Sequence, residues 1–242
     1  MLIPGFNIEF LLVLIVILTG ALLSVRTRKL TRGASITGAF IGILLYTAAG
    51  ILPLLLMAVF FILAVLVTRL NAPAKQSYGV QPQITERRAA SQVLANAGVP
   101  AIAAAGILIF PQYHEWLELV IAGAFAASTG DTVSSEFGNA YGRKFFDLRT
   151  LRRGSRGENG VLSLEGTLSG VLASALIALL YAFGENQALY FIPVIAAGIA
   201  GNLMDSLLGA FPERSGKLSN DMVNILSNGI GGISGVLVFE IL

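Results

Sequence analysis

Two aspartates stand in stretches that are otherwise small or apolar. Asp131 lies in "AFAASTGDTVSSEFG" (124–138) and Asp205 in "AAGIAGNLMDSLLGAF" (196–211). A carboxylate near a bilayer centre costs roughly 2.5–3.5 kcal/mol on the insertion scale. Such residues therefore face the protein interior and serve function. Helical spacing puts Ser128, Ser134 and Ser135 on the Asp131 face, and Asn202, Ser206 and Gly209 on the Asp205 face. Thr132 and Ser206 directly follow the two acids. Glu136 comes five residues after Asp131, about 140° round an ideal helix, and joins the site only if the helix bends or ends there. Two more polar stripes have helical spacing: Arg88, Gln92 and Asn96, and Asp221, Asn224 and Asn228. Asp221 reads equally as a solvated helix cap and as a further acidic ligand. Four converging stripes make a hydrophilic pocket at one end of a helix bundle.

Between the two aspartates runs "GRKFFDLRTLRRGSRGENGVLSLEGTLSG" (142–170). Its basic residues Arg143, Lys144, Arg152, Arg153 and Arg156 suit phosphate. Its glycines break any helix, and Ser163, Glu165, Gly166 and Thr167 then open the next one. A glycine-rich turn feeding a helix N-terminus is an anion nest. The competing reading is a basic loop that touches only anionic lipid. Hard cations such as Mg²⁺ take one or two carboxylates plus phosphate oxygens, so Asp131 and Asp205 are candidates for Mg²⁺ while the loop takes a polyphosphate. The chain has no cysteine and one histidine, His114, which points away from zinc or thiol chemistry. Phosphoryl or nucleotidyl transfer, dominated by positioning and charge neutralisation, fits better.

The elements that must position these residues are membrane helices. Of 242 residues, 55% are hydrophobic and 12% charged, against about 25% charged in soluble domains. The mean hydropathy is +0.77. The apolar runs predict an all-α, polytopic transmembrane bundle of about eight spans: 8–25, 34–50, 52–69, 89–110, 115–133, 162–184, 188–210 and 222–242. The first run lacks a preceding positive region, so it reads as a span and not a cleaved leader. With eight spans every Lys and Arg falls on one side, in the loops after spans 1, 3, 5 and 7. The other side receives only acids and His114. The positive-inside rule then places both termini outside and loops 70–88, 134–161 and 211–221 in the cytoplasm of a cell-membrane protein. This topology, not nucleic acid, accounts for the pI near 9.0. The chain is a single transmembrane domain, 1–242, with a faint internal echo between the two Asp-centred segments.

"STGDTVSSEFG" (128–138), "LEGTLSG" (164–170), "GNLMDSLLGA" (201–210), the Asn224/Asn228 pair and "RRAASQVLANAGVP" (87–100) together resemble the membrane prenyl-phosphate kinase family. Plant members of that family convert phytyl phosphate to its diphosphate. The Asp segment, basic loop and "EGT" stretch are also similar to CTP-dependent dolichol and phytol kinases, and more distantly to CDP-diacylglycerol synthases. The resemblance implies CTP as phosphoryl donor and Mg²⁺ as cofactor. It carries the acidic positions onto Asp131, Asp205 and Glu136, their hydroxyl neighbours onto Thr132 and Ser206, and a polar helix onto Arg88, Gln92 and Asn96. Where the family pattern expects a Gly pair, this chain has Asn96-Ala97-Gly98.

The expectation is a kinase that converts a prenyl monophosphate, phytyl or geranylgeranyl phosphate, to the diphosphate at the cytoplasmic face. Mg²⁺ would lie on Asp131, Asp205, Glu136 and Asp221, and the nucleotide on the basic loop and on Ser163, Glu165, Gly166 and Thr167, with Thr132 and Ser135. The acceptor would lie on Arg88, Gln92, Asn96, Asn202, Ser206, Asn224 and Asn228. Its partners are the prenyl lipid, a nucleoside triphosphate and membrane lipids, with no nucleic acid. Two alternatives stand beside it: a lipid-alcohol kinase or CDP-lipid cytidylyltransferase, and a transporter or flippase using the intramembrane acids as a cation site.

Overall fold

The computed structural model describes residues 8–70 and 87–242. Most of the 70–88 loop, with Lys75, lies outside them. Eight long helices follow one another among the described residues: α1 Ile8–Arg26, α2 Arg32–Ala49, α3 Ile51–Thr68, α4 Ala90–Ile109, α5 His114–Tyr141, α6 Leu164–Gly184, α7 Phe191–Leu208 and α8 Asn220–Phe239. All except α5 are long and apolar enough to cross a membrane. Polar caps set several starts. Thr31 accepts from the Ala34 N–H, Ser163 from Gly166, and Ser219 from Met222, each satisfying a donor the helix leaves open.

The helix without that apolarity, α5, is the centre of the bundle. It packs on α3, α4, α6, α7 and α8. Residues 121–130, "IAGAFAASTG", are buried on every side, as expected of a helix enclosed by others. Small side chains there let five helices approach one axis. By contrast α1 buries no residue and is tied to α2 by the Ser35 hydroxyl donating to the Ala21 carbonyl at 2.7 Å.

The internal echo is a physical seam. α5 and α7 run side by side with equivalent residues opposed. A Cβ on Gly123 would stand 2.9 Å from that of Ala197, and one on Gly201 would collide with Ala127. The next rung is Asp131 opposite Asp205, which line one polar chamber together. Small residues at four-residue spacing bring the two backbones together, and the acids meet as a result.

Three boundaries differ from the sequence reading. Helix α5 continues past residue 133 to Tyr141, because its last turns still pack against Ser163 and Gly166 of the chain opening α6. The loop after it is not wholly irregular. Strands β1 Phe145–Asp147, β2 Arg152–Arg153 and β3 Val161–Ser163 form a small antiparallel sheet in the order β2-β1-β3. Finally, α7 ends in a π-turn, Gly209–Glu213, containing Pro212. Gly160 packs directly on this turn at Ala210, so the sheet closes over the end of α7.

At the opposite end, where only acids and His114 were expected, Glu118 is buried. It sits 3.2 Å from His114, one turn earlier. The Tyr190 hydroxyl donates to Glu115 at 2.6 Å, pinning α7 to α5.

The seam makes a prediction. Gly201→Val should lower stability by about 1–3 kcal/mol through overpacking. Gly38→Ala, with nothing within 4 Å of the new Cβ, should not. Thermal unfolding of the two purified variants in one detergent compares them directly. Equal melting temperatures would mean that the α5–α7 contact is looser than described.

Candidate active site

Asp131 and Asp205 are half-buried near the ends of α5 and α7 that lie under the sheet. The Ser227 hydroxyl donates to Asp205 Oδ2 at 3.1 Å, bringing α8 to the pair. Two carboxylates in contact need a cation or a proton between them. Polar space opens on both sides of Asp131. The first chamber, about 150 Å³, is walled by Asp131, Asn202, Asp205, Ser206 and Glu213 on one side and by residues 157–163 on the other. The second, about 120 Å³, is lined by Arg88, Gln92, Asn96, Thr132, Glu136 and Asn224. Asp131, Ser135 and Asn220 belong to both.

Glu136 thus reaches the site without a bend or end in α5. It faces the second chamber while Asp205 faces the first, on opposite sides of Asp131. Its charge acts on Arg88, whose proton affinity burial pushes down and Glu136 pushes back up. A guanidinium stays protonated under either influence. Arg88 is held at the mouth of α4 by paired backbone hydrogen bonds with the α1–α2 connection, from Thr31 N to Arg88 O and from Arg88 N to Lys29 O.

The structure disperses other expected residues. Asn228 is buried, and its amide donates to the Ala95 carbonyl at 3.1 Å; it ties α8 to α4 and lines neither chamber. Asp221 lies in the first turn of α8, outside both chambers. Among the described residues no cluster of three or more His, Cys, Asp or Glu side chains could hold a metal. The expected set of Asp131, Asp205, Glu136 and Asp221 is therefore not assembled around one point; the Asp131–Asp205 pair is.

The basic loop is corrected most. Arg156 donates from both terminal nitrogens, at 2.6 Å each, to the carbonyls of Asn139 and Gly142, and stacks over Phe145. It caps the end of α5, where carbonyls lack helical partners. Arg143, Lys144, Arg152 and Arg153 are exposed and line neither chamber. The Arg143 N–H instead donates to Glu165 Oε2 at 3.4 Å. Gly166 packs under Ser134 and Gly138, and the Thr167 hydroxyl donates to the Ser163 carbonyl. Of the loop and the "EGT" stretch, Phe145 and residues 157–163 reach the site.

Sequence reasoning missed Ser227, Glu213 and Asn159. Asn159 and Glu213 both line the first chamber. Ser227 and Asn159 share no helical stripe with Asp131 or Asp205, so no spacing signal marked them; Glu213, eight residues after Asp205 with Gly209 between, continues that stripe past Pro212 and was passed over. Arg214 was also missed. It donates to Asp147 at 2.9 Å and to Glu158 at 3.1 Å, locking the sheet onto the α7 end.

The comparisons with known proteins agree with this architecture. The model of the integral membrane protein family DUF92 matches residues 14–232. This chain belongs to the DUF92 family. It is 35% identical over 228 residues to an uncharacterized membrane protein of Methanocaldococcus jannaschii, covering 93% of this chain and 92% of that one. It is 31% identical over 215 residues to the chloroplastic protein VTE6 of Arabidopsis thaliana, covering 85% of this chain and 64% of VTE6. Protein PGR of the same plant is 28% identical over 264 residues, with 96% and 90% covered. No solved structure matches. The plant relatives bear out the resemblance drawn from the motifs of this DUF92 chain.

The Arg214 hydrogen bond holds the Asp147 carboxyl below its ordinary value of 3.8, against the opposing effect of burial, with the Arg149 N–H adding to the shift. A carboxyl whose native pKa is depressed contributes stability above its unfolded value and loses it as pH falls through the native one. The sheet should therefore stay anchored at neutral pH and loosen as the medium is acidified below 3.8. Arg214→Gln should release the 143–160 segment already at neutral pH. Hydrogen exchange over the pH range tests both statements. Equal protection of that segment in wild type and variant at neutral pH would remove Arg214 as its anchor.

Proposed function

We propose that this DUF92 protein is a Mg²⁺-dependent kinase that extends a prenyl monophosphate to the diphosphate, with CTP as donor. One observation carries the reading: two polar chambers of different character meet at a single carboxylate, Asp131. The first is acidic, lined by Asp131, Asp205 and Glu213. Among the described residues it contains no Lys or Arg. Such a chamber accepts a polyphosphate only together with cations. Its donors are carboxylate, amide and hydroxyl oxygens, the set a hard divalent ion takes, and Mg²⁺ needs one or two carboxylates when phosphates complete its shell. Asp131 and Asp205 would hold it, and its chemistry there is charge neutralisation on the transferring phosphoryl group.

The second chamber offers Arg88 with Gln92, Asn96 and Asn224, a cationic and amide-lined seat for one phosphate monoester. An oxygen of that monoester attacks the donor γ-phosphorus. The bond from that phosphorus to the β-bridging oxygen breaks, and the nucleoside diphosphate leaves. A phosphate monoester has its second pKa near ~6, so the attacking group is already ionised and no general base is required. That suits a site without His or Cys. Glu136 keeps Arg88 oriented, and Ser227 holds the Asp205 carboxylate. The site lies at the end of the bundle where the described Lys and Arg residues occur. The positive-inside rule puts that end in the cytoplasm of a cell-membrane protein, with both termini outside. VTE6, among the relatives, supports an enzyme of this kind.

The test offers purified protein Mg²⁺ and CTP, ATP, GTP or UTP against geranylgeranyl phosphate, phytyl phosphate and the free alcohols. Diphosphate from the monophosphate, fastest with CTP, is the expected product. Asp131→Asn and Asp205→Asn should each lower kcat by roughly a hundredfold or more while the protein still folds. Monophosphate made from the alcohol would reassign it as an alcohol kinase. Pyrophosphate release with a CDP-lipid would reassign it as a cytidylyltransferase.

A further inference from the structure

Below the second chamber the same three helices, α4, α5 and α8, enclose a lateral cavity of about 590 Å³. On α4 the lining passes in successive turns from Arg88, Gln92 and Asn96 to Val99 and Ile102. On α8 it passes from Asn224 to Gly229 and Ile233. The lining is apolar down to Tyr113 and Trp116, whose stacked rings, 5.7 Å apart, stand at the far end. From the level of Asn96 to the end of α4 is about 20 Å at 1.5 Å per residue. A groove of that length takes several isoprene units, whereas a dimethylallyl chain would fill only its entrance.

Two interhelical hydrogen bonds mark the waist between chamber and groove. The Asn228 amide bonds the Ala95 carbonyl there, and the Ser128 hydroxyl bonds the Asn96 carbonyl. Gly229 stands at this waist. A Cβ added to it would meet only Val99 Cγ2, at 3.9 Å. Helix packing therefore does not require a glycine at this position, unlike at Gly201. What its missing side chain provides is open space on the path between the two compartments.

We propose that the α4–α5–α8 groove seats the isoprenoid tail of the acceptor, and that Gly229 keeps open the passage joining the tail to its phosphate in the Arg88 chamber. The assignment rests on the prenyl-phosphate kinase reading above. It makes Gly229 and Ile102 specificity determinants for chain length, without contact to the reacting atoms.

The experiment measures kcat/KM for geranylgeranyl and dimethylallyl phosphate, and KM for the nucleotide, in wild type, Gly229→Val and Ile102→Trp. Each variant should reduce the preference for the long chain roughly tenfold and leave the nucleotide KM unchanged. Ile102 is 74% exposed, so Ile102→Trp tests the groove even where Gly229→Val fails to fold. An unchanged preference in a folded variant would overturn the groove while the kinase reading stands. Absence of turnover with every prenyl phosphate in wild type would instead remove the kinase reading. In that event a photoreactive geranylgeranyl phosphate decides the groove. Labelling of α4 and α8 peptides that geranylgeranyl phosphate displaces and phosphatidylglycerol does not would support it. Labelling elsewhere, or displacement by the phospholipid, would overturn it.

Discussion

The close approach of α5 and α7 is the constraint on which the rest of this molecule depends. Two carboxylates in a low-dielectric interior repel unless something lies between them, and helices do not bring them together without compensation. Here the compensation is packing. Gly201 against Ala127 and Gly123 against Ala197 hold the backbones together over two turns, and the following turn presents Asp131 to Asp205. The acids need not attract one another to meet. Their encounter is dictated by small residues outside the polar region.

Everything around that seam has the character of support. Helix α5 must be small on all sides so that five helices can surround it, and for that reason it lacks the apolarity of a lipid-facing span. The sheet after α5 closes over the end of α7 through Gly160 and is fastened by Arg214 to Asp147 and Glu158. Arg156 caps the helix that carries Asp131. Of the loop's basic side chains, Arg156 is thus committed to the protein's own backbone, while Arg143, Lys144, Arg152 and Arg153 are exposed. The wall facing the aspartates is the segment from 157 to 163.

This division gives the site two faces of opposite electrostatic character around one shared carboxylate. An acidic face recognises phosphate only through a cation, while a guanidinium face recognises phosphate directly. On the proposed reading, their meeting at Asp131 would hold two phosphate-bearing reactants in different ways. The apolar groove extends from the guanidinium face alone, because α4 and α8 border that side, while α7 and residues 157–163 border the other.

The sequence by itself determined the helical membrane class, the approximate spans, the segregation of positive charge and the two aspartates, because each is written in local composition and in a period of 3.6 residues. It also marked the Arg88, Gln92, Asn96 and Asn224 stripes, since four-residue spacing keeps a helix face intact. Tertiary structure alone decided which polar residues share a chamber. Asn224 and Asn228 lie one turn apart on α8, yet one faces a chamber and the other bonds a neighbouring carbonyl, because α4 approaches at only one of those levels. Arg156 and Arg214 look alike in composition, but the folded sheet commits the first to a helix end and the second to two acids. Ser227 and Asn159 come from elements that carry neither aspartate, so only the packing of α7, α8 and the loop brings them to the pair, whereas Glu213 already lies in the period of Asp205.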